Sequence, residues 1–120
     1  MILAGNVTVF VSSMDAAVNF YTEKLGLKLK ERYGDHWATV RAGDLTIGLH
    51  PASSKYPAPG TRGSMMIGLE IDESIDVVMR QLQDKGVTFR GPIVDDDAGT
   101  FAHFSDPDGN ELYLWQTVRV

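Results

Sequence analysis

The stretch VTVFVSSMDAAVNFYTEKLGL, Val7 to Leu27, decides the fold. Its first five residues favour extended backbone and read as a strand. Ser12 followed by Asp15 has the form of a capping box, in which each side chain satisfies an orphan amide at a helix start. Met14, Ala17, Val18, Tyr21 and Leu25 then recur at helical spacing on one face. Gly26 supplies the left-handed residue that commonly ends such a helix. A second strand, Leu27 to Tyr33, follows.

The same order returns further along the chain. Val11 and Ile71, Val18 and Val78, and Gly26 and Gly86 are each 60 residues apart. Met65 to Ile71 reads as a strand, Asp72 or Ser74 as a cap, and Ile75, Val78, Met79 and Leu82 as an apolar helical stripe. Gly86 is the stop, and Val87 to Val94 the next strand. A constant offset through strand, helix and stop points to duplication. Each half then adds two short strands. In the first these are His36 to Ala42 and Leu45 to His50, turned at Gly43 and Asp44. In the second they are Thr100 to Ser105 and Glu111 to Gln116, turned through Asp106, Pro107, Asp108 and Gly109. The predicted fold class is therefore α+β, with two βαβββ modules that each form a cupped mixed sheet. Modules 1–50 and 64–120 are joined by a proline- and glycine-rich linker, 51–63, long enough to permit exchange between subunits.

A chain of 120 residues fits one domain built of two similar halves, and 43% hydrophobic residues supply its core. With no cysteine, disulfides, thiolate metal sites and cysteine nucleophiles are excluded, leaving His, Asp and Glu as side-chain metal ligands. Eleven basic against sixteen acidic side chains give a net charge of -5, and no cluster of Lys and Arg could follow a phosphate backbone, so nucleic acid is not an expected partner. The apolar run at Val7 is interrupted by Thr8 and has no basic residue before it. It reads neither as a signal peptide nor as a membrane span, and the expected location is cytoplasmic.

A sheet with one helix places aliphatic side chains toward that helix at every second position. Val7, Val9, Val11, Leu45, Ile47 and Leu49 take that side in the first half. Met65, Ile67, Leu69, Ile71, Leu112 and Leu114 take it in the second. In the third and seventh strands Ala38, Val40, Ala102 and Phe104 suggest the helix side, with Trp37, Thr39, Arg41, Phe101 and His103 opposite. The concave faces then mix the aromatics Phe10, Trp37, Phe101, Tyr113 and Trp115 with the polar groups Asn6, Arg41, His50, Glu70 and His103. That composition suits a small-molecule pocket, although aromatics of this kind also pack sheets or subunits together.

Two segments carry a family resemblance: Asn19-Phe20-Tyr21-Thr22-Glu23-Lys24-Leu25-Gly26-Leu27 and Phe104-Ser105-Asp106-Pro107-Asp108-Gly109-Asn110. The chain resembles the vicinal oxygen chelate superfamily, which holds glyoxalases, bleomycin-resistance proteins, fosfomycin-resistance enzymes and extradiol dioxygenases. The segments match its FYxxxLG and F-x-DPDGN patterns, and the likeness covers nearly the whole chain. Both are structural marks, so they imply the fold more than a reaction. Metal-using members place His, Glu or Gln ligands on the cupped face. At the corresponding positions this chain has Asn6, Gly48, Met66 and Tyr113, which do not make a ligand set for a hard divalent ion. His50, Glu70 and His103 have suitable chemistry for a displaced site, but no local spacing supports their convergence.

The remaining motifs are weak. Asn6-Val7-Thr8 fits the glycosylation pattern but lies in a strand, His36 beside Asp35 reads as a solvated loop residue, and Asp95-Asp96-Asp97 as a solvated acidic loop. The resulting expectation is a cytoplasmic homodimer, without metal or other cofactor, that binds an aromatic or amphipathic small molecule as the bleomycin-resistance branch does. Trp37, Tyr113 and Trp115 would stack on the ligand, with Phe10 and His103 beside them, and Asn6, Arg41, His50 and Glu70 would orient it. No catalytic residue is assigned. Two alternatives stay open: a metal-dependent lyase, isomerase or dioxygenase with an altered ligand set, and a dimer whose cup is filled by its own side chains.

Overall fold

The computed structural model describes residues 5–56, 58–61, 65–97 and 99–117, so Pro57 and residues 62–64 of the linker region lie outside it. The chain divides into two compact units, Met1–Thr61 and Arg62–Val120. Unit 1 contains β1 (Val7–Val11), α1 (Met14–Asn19), β2 (Lys28–Tyr33), β3 (Trp37–Ala42) and β4 (Leu45–Pro51). Unit 2 contains β5 (Ile67–Glu70), α2 (Ile75–Asp84), β6 (Phe89–Asp96), β7 (Gly99–Ser105) and β8 (Glu111–Thr117). Each is a four-stranded mixed sheet, ordered β1-β4-β3-β2 in one and β5-β8-β7-β6 in the other. The first strand runs parallel to the last, and the other pairs are antiparallel. This is the α+β architecture of two βαβββ modules expected from the duplication.

Alternation of side chains builds each core. Val9, Val11, Ala38, Val40, Ile47 and Leu49 are buried in unit 1, where α1 packs on β3 and β4 with Met14, Ala17 and Val18. In unit 2, Ile67, Ala102, Phe104, Leu112 and Leu114 are buried, and α2 packs on β7 and β8 with Ile75 and Leu82. Tyr21 and Phe104 are the largest fully buried side chains; each contributes roughly 1.5–3 kcal/mol through apolar burial.

The ends of the elements depart from the sequence reading in informative ways. The cap of α1 is Ser13 rather than Ser12: the Ser13 hydroxyl accepts from the Ala16 amide at 3.2 Å. That shift puts Ala16 at the third helical position, so the capping box with Asp15 does not form. Asp15 instead accepts from Arg32 Nη2 on β2 at 2.5 Å, which raises the guanidinium pKa further. After Asn19 the helix widens into a π-helical turn over Phe20–Lys24, closed by a Leu25 amide bond to the Phe20 carbonyl. The widening lets adjacent Phe20 and Tyr21 both enter the core, beyond the stripe read from a 3.6-residue period. Gly26 and Gly86 end the two helical segments at φ of +77° and +91°. In unit 2, Ser74 occupies the cap position without a side-chain cap bond, and β5 starts at Ile67, leaving Met65 and Met66 exposed before it.

The turn from β7 to β8 is organised by one buried carboxylate. Asp106 accepts from the amides of Asp108 and Asn110 at 3.0 and 2.8 Å and from Asn110 Nδ2 at 2.8 Å. Its residue is 5% exposed, so these bonds offset the loss of hydration. The Asp-Pro-Asp-Gly-Asn run is thus a structural turn. Among the described residues no helix is long and apolar enough to cross a membrane.

Candidate functional site

Strand register assembles the face of each sheet turned from its helix into rows. In unit 1, Thr8 is beside Gly48, Gly48 beside Thr39, and Thr39 beside Glu31, one residue from each strand. The adjoining row is aromatic. Phe10 pairs with His50, His50 lies edge-on to Trp37 at 6.2 Å, and Trp37 pairs with Tyr33. Tyr56 extends that row by stacking on Phe10 at 4.9 Å and packing edge-on to His50 at 5.0 Å. The His50 Nδ1–H donates to the Pro51 carbonyl at 2.8 Å.

The first row is small at its centre because a ring lies across it. A Cβ placed on Gly48 would come within 2.3 Å of the far edge of the Trp37 indole. Only glycine leaves room for the indole there. Beside it is a hollow of about 310 Å³ lined by Asn6, Lys30, Glu31, Trp37, Thr39 and Thr46. Its charged pair comes from an irregularity in β2. The register passes from Leu29 opposite Val40 to Glu31 opposite Thr39, so Lys30 is an extra residue in the strand. A bulge of this type lets Lys30 and Glu31 both reach the hollow. Glu31 accepts from the Tyr33 hydroxyl at 3.0 Å, and that bond raises the Tyr33 pKa.

Unit 2 uses the same device differently. Its corresponding row is Gly68, Tyr113, His103 and Arg90. The Tyr113 ring covers Gly68, where a Cβ would lie 2.4 Å from Cζ and 2.5 Å from the hydroxyl oxygen. His103 and Tyr113 are in ring contact at 5.6 Å. Arg90 is 3.5 Å from Glu111 and keeps a buried Nε with no hydrogen-bond partner. The next row is Glu70, Trp115, Phe101 and Val94.

Of the residues singled out from the sequence, Asn6 and Trp37 line the hollow, and Phe10 and His50 flank it in the aromatic row. Arg41 shares this sheet, but its Nε donates to the Gly43 carbonyl at 3.2 Å, which draws it toward the β3–β4 turn. Glu70, His103, Tyr113 and Trp115 belong to the face of unit 2. Sequence reading missed Lys30 and Glu31 as site residues because a bulge resets the alternation on which parity depends. Thr39 and Thr46 carried the right parity, but small hydroxyl residues gave no further signal.

The positions at which metal-using relatives carry ligands can be tested against this geometry. Gly48 has no donor, and the space for any side chain there is filled by the Trp37 ring. Tyr113 is laid over Gly68, while Met66 and Asn6 are exposed and precede their strands. These residues do not fit a divalent ion. Among the described residues no group of three His, Asp or Glu could hold one.

The arrangement of two βαβββ sheets has known relatives. The sequence model of the Glyoxalase/Bleomycin resistance protein/Dioxygenase superfamily matches residues 4–114. The chain belongs to this superfamily. It is 30% identical over 116 residues to the uncharacterized protein YetH of Bacillus subtilis (strain 168), covering 92% of this chain and 94% of that one. Among solved structures it resembles TnmS3, an antibiotic binding protein from Streptomyces sp. CB03234, with a TM-score of 0.80, 31% identity and 98% of both chains covered. Lactoylglutathione lyase from Agrobacterium tumefaciens shares the fold at a TM-score of 0.75 and 15% identity, covering 96% of this chain and 92% of that one.

Proposed function

We propose that this protein is a metal-independent small-molecule-binding member of the superfamily, which holds an aromatic or amphipathic ligand on the open sheet faces. The observation that carries this reading is the Trp37 indole spread over Gly48 beside the hollow. It offers a flat apolar floor where a metalloenzyme of this fold would need a chelating side chain. Likeness to TnmS3 supports the same direction. On the face of unit 1 stacking on Trp37 supplies most of the affinity and Asn6 and His50 orient the ligand; on the face of unit 2 Tyr113 and Trp115 stack and Glu70 and His103 orient. A family match running through both units supports treating 1–120 as one domain. Exposed apolar side chains at Leu29, Met65, Met66 and Val94 support a homodimer.

Equilibrium binding against a panel of aromatic antibiotics and metabolites tests this reading, together with elemental analysis of protein purified without chelator. Trp115→Ala should weaken a stacked ligand by roughly 1–3 kcal/mol, and Trp37→Ala by a similar amount. Unchanged affinity in both variants, or stoichiometric metal that survives dialysis, would overturn the proposal.

A further inference from the structure

The hollow of unit 1 carries more chemical information than its aromatic floor. Two of its polar groups have no use within the protein. Thr39 is 5% exposed and its side chain lines the hollow, yet its hydroxyl has no hydrogen-bond partner among the described residues. The Lys30 ammonium likewise has none. The Thr39 hydroxyl opens on the hollow as an unused donor and acceptor, available to a bound group. Glu31, beside Lys30, already accepts from Tyr33 and has acceptor capacity left. On one rim there is thus a free cationic donor next to an anionic acceptor, with a hydroxyl below them and an indole face alongside.

We infer that this hollow selects a planar aryl ring carrying one carboxylate with a hydroxyl next to it. The inference rests on the binding function proposed above and names its ligand class. The ring lies on the Trp37 indole, the carboxylate accepts from Lys30, and the neighbouring hydroxyl, whose own proton bonds the carboxylate, accepts from the Thr39 hydroxyl. Charge sets the limit. A single carboxylate matches Lys30, whereas a phosphate monoester or other dianion would press against Glu31 in a protein of net charge -5. Size sets it too, since 310 Å³ is at the small end of ligand cavities and suits one or two fused rings.

Three probes separate these claims: 2-naphthol, 2-naphthoate and 3-hydroxy-2-naphthoate, titrated calorimetrically near neutral pH. 2-Naphthoate should bind about fivefold tighter than 2-naphthol, a preference that shrinks in high salt. 3-Hydroxy-2-naphthoate should gain about a further fivefold. Lys30→Met, an exposed position that leaves the core intact, should equalise 2-naphthol and 2-naphthoate, and Thr39→Val should remove most of the gain from the added hydroxyl. Binding of 2-naphthol without preference for the acid, or a preference that persists in Lys30→Met, overturns this inference and leaves the broader aromatic-binding reading standing. Failure of all three probes to bind overturns both.

Discussion

Units 1 and 2 share a scaffold and differ on the surface that the scaffold presents. Gly48 on β4 and Tyr113 on β8 hold equivalent places, each beside the first strand of its own sheet. In unit 1 that place is empty of side chain and Trp37 reaches over from β3 to cover it. In unit 2 the ring belongs to the place itself and leans over Gly68 on the edge strand. One arrangement leaves a hollow rimmed by small hydroxyl residues and a charged pair. The other puts His103 and Arg90 in line behind the ring. A duplicated fold thus keeps its buried pattern, which packing enforces, while the open faces diverge under no such constraint.

Substitution of the two glycines should give the largest effect and tests the contrast directly. Gly48→Ala forces the buried floor of unit 1 to rearrange and should cost about 1–3 kcal/mol in urea unfolding. Gly68→Ala, on an edge strand and against the far end of a single smaller ring, should fall at the low end of that range. A larger loss at Gly68 would reverse the assignment of the tighter contact.

The turns provide the next test. Asp106→Ala removes the acceptor for three donors in the β7–β8 connection and should destabilise by about 1–3 kcal/mol. The β3–β4 turn of unit 1 uses Gly43 at φ of +57° instead, so Asp44→Ala, an exposed change, should remain within about 0.5 kcal/mol. Equal losses would mean that the two connections are closer in design than their hydrogen bonds indicate.

Helix caps should separate the units by a smaller margin. Ser13→Ala deletes the bond from the Ala16 amide and should cost about 1 kcal/mol. Ser74→Ala deletes no such bond and should cost a few tenths of that, read from the same unfolding curves.

The smallest effect is a titration. Tyr33 donates to Glu31, and the bond, with the carboxylate charge behind it, keeps the phenol protonated to higher pH than usual. A raised folded-state pKa contributes stability that is present below the unfolded value and is lost as pH rises through the folded one. Glu31→Gln should therefore bring one tyrosine absorbance transition to lower pH, with little change in stability because Tyr33 is exposed. An unmoved titration would separate Tyr33 from Glu31 and weaken the picture of the bulge as a charged rim.

Much of the molecule was legible in the residues. The spacing of Gly26 and Gly86, the aliphatic alternation in Ile47 and Leu49 or Leu112 and Leu114, and the Asp106 turn predict the elements and their buried sides. Each is a local consequence of backbone geometry or of a period imposed by one buried face. The aromatic composition of the open faces was legible for the same reason.

What the residues did not announce depends on neighbours far apart in the chain. Capping passed from Ser12 to Ser13, and Asp15 bonds Arg32 across on β2 rather than closing a capping box. Phe20 joined the core through a π-helical turn that no 3.6-residue pattern contains. Above all, Lys30 and Glu31 entered the hollow through a bulge, and the reason for Gly48 became visible only with Trp37 lying on it. The chain by itself determined which side of each strand is greasy and where the strands turn, since those follow from periodicity. Tertiary structure alone decided which ring rests on which glycine, because a side chain reaching across strands is positioned by register and steric fit rather than by its place in the sequence.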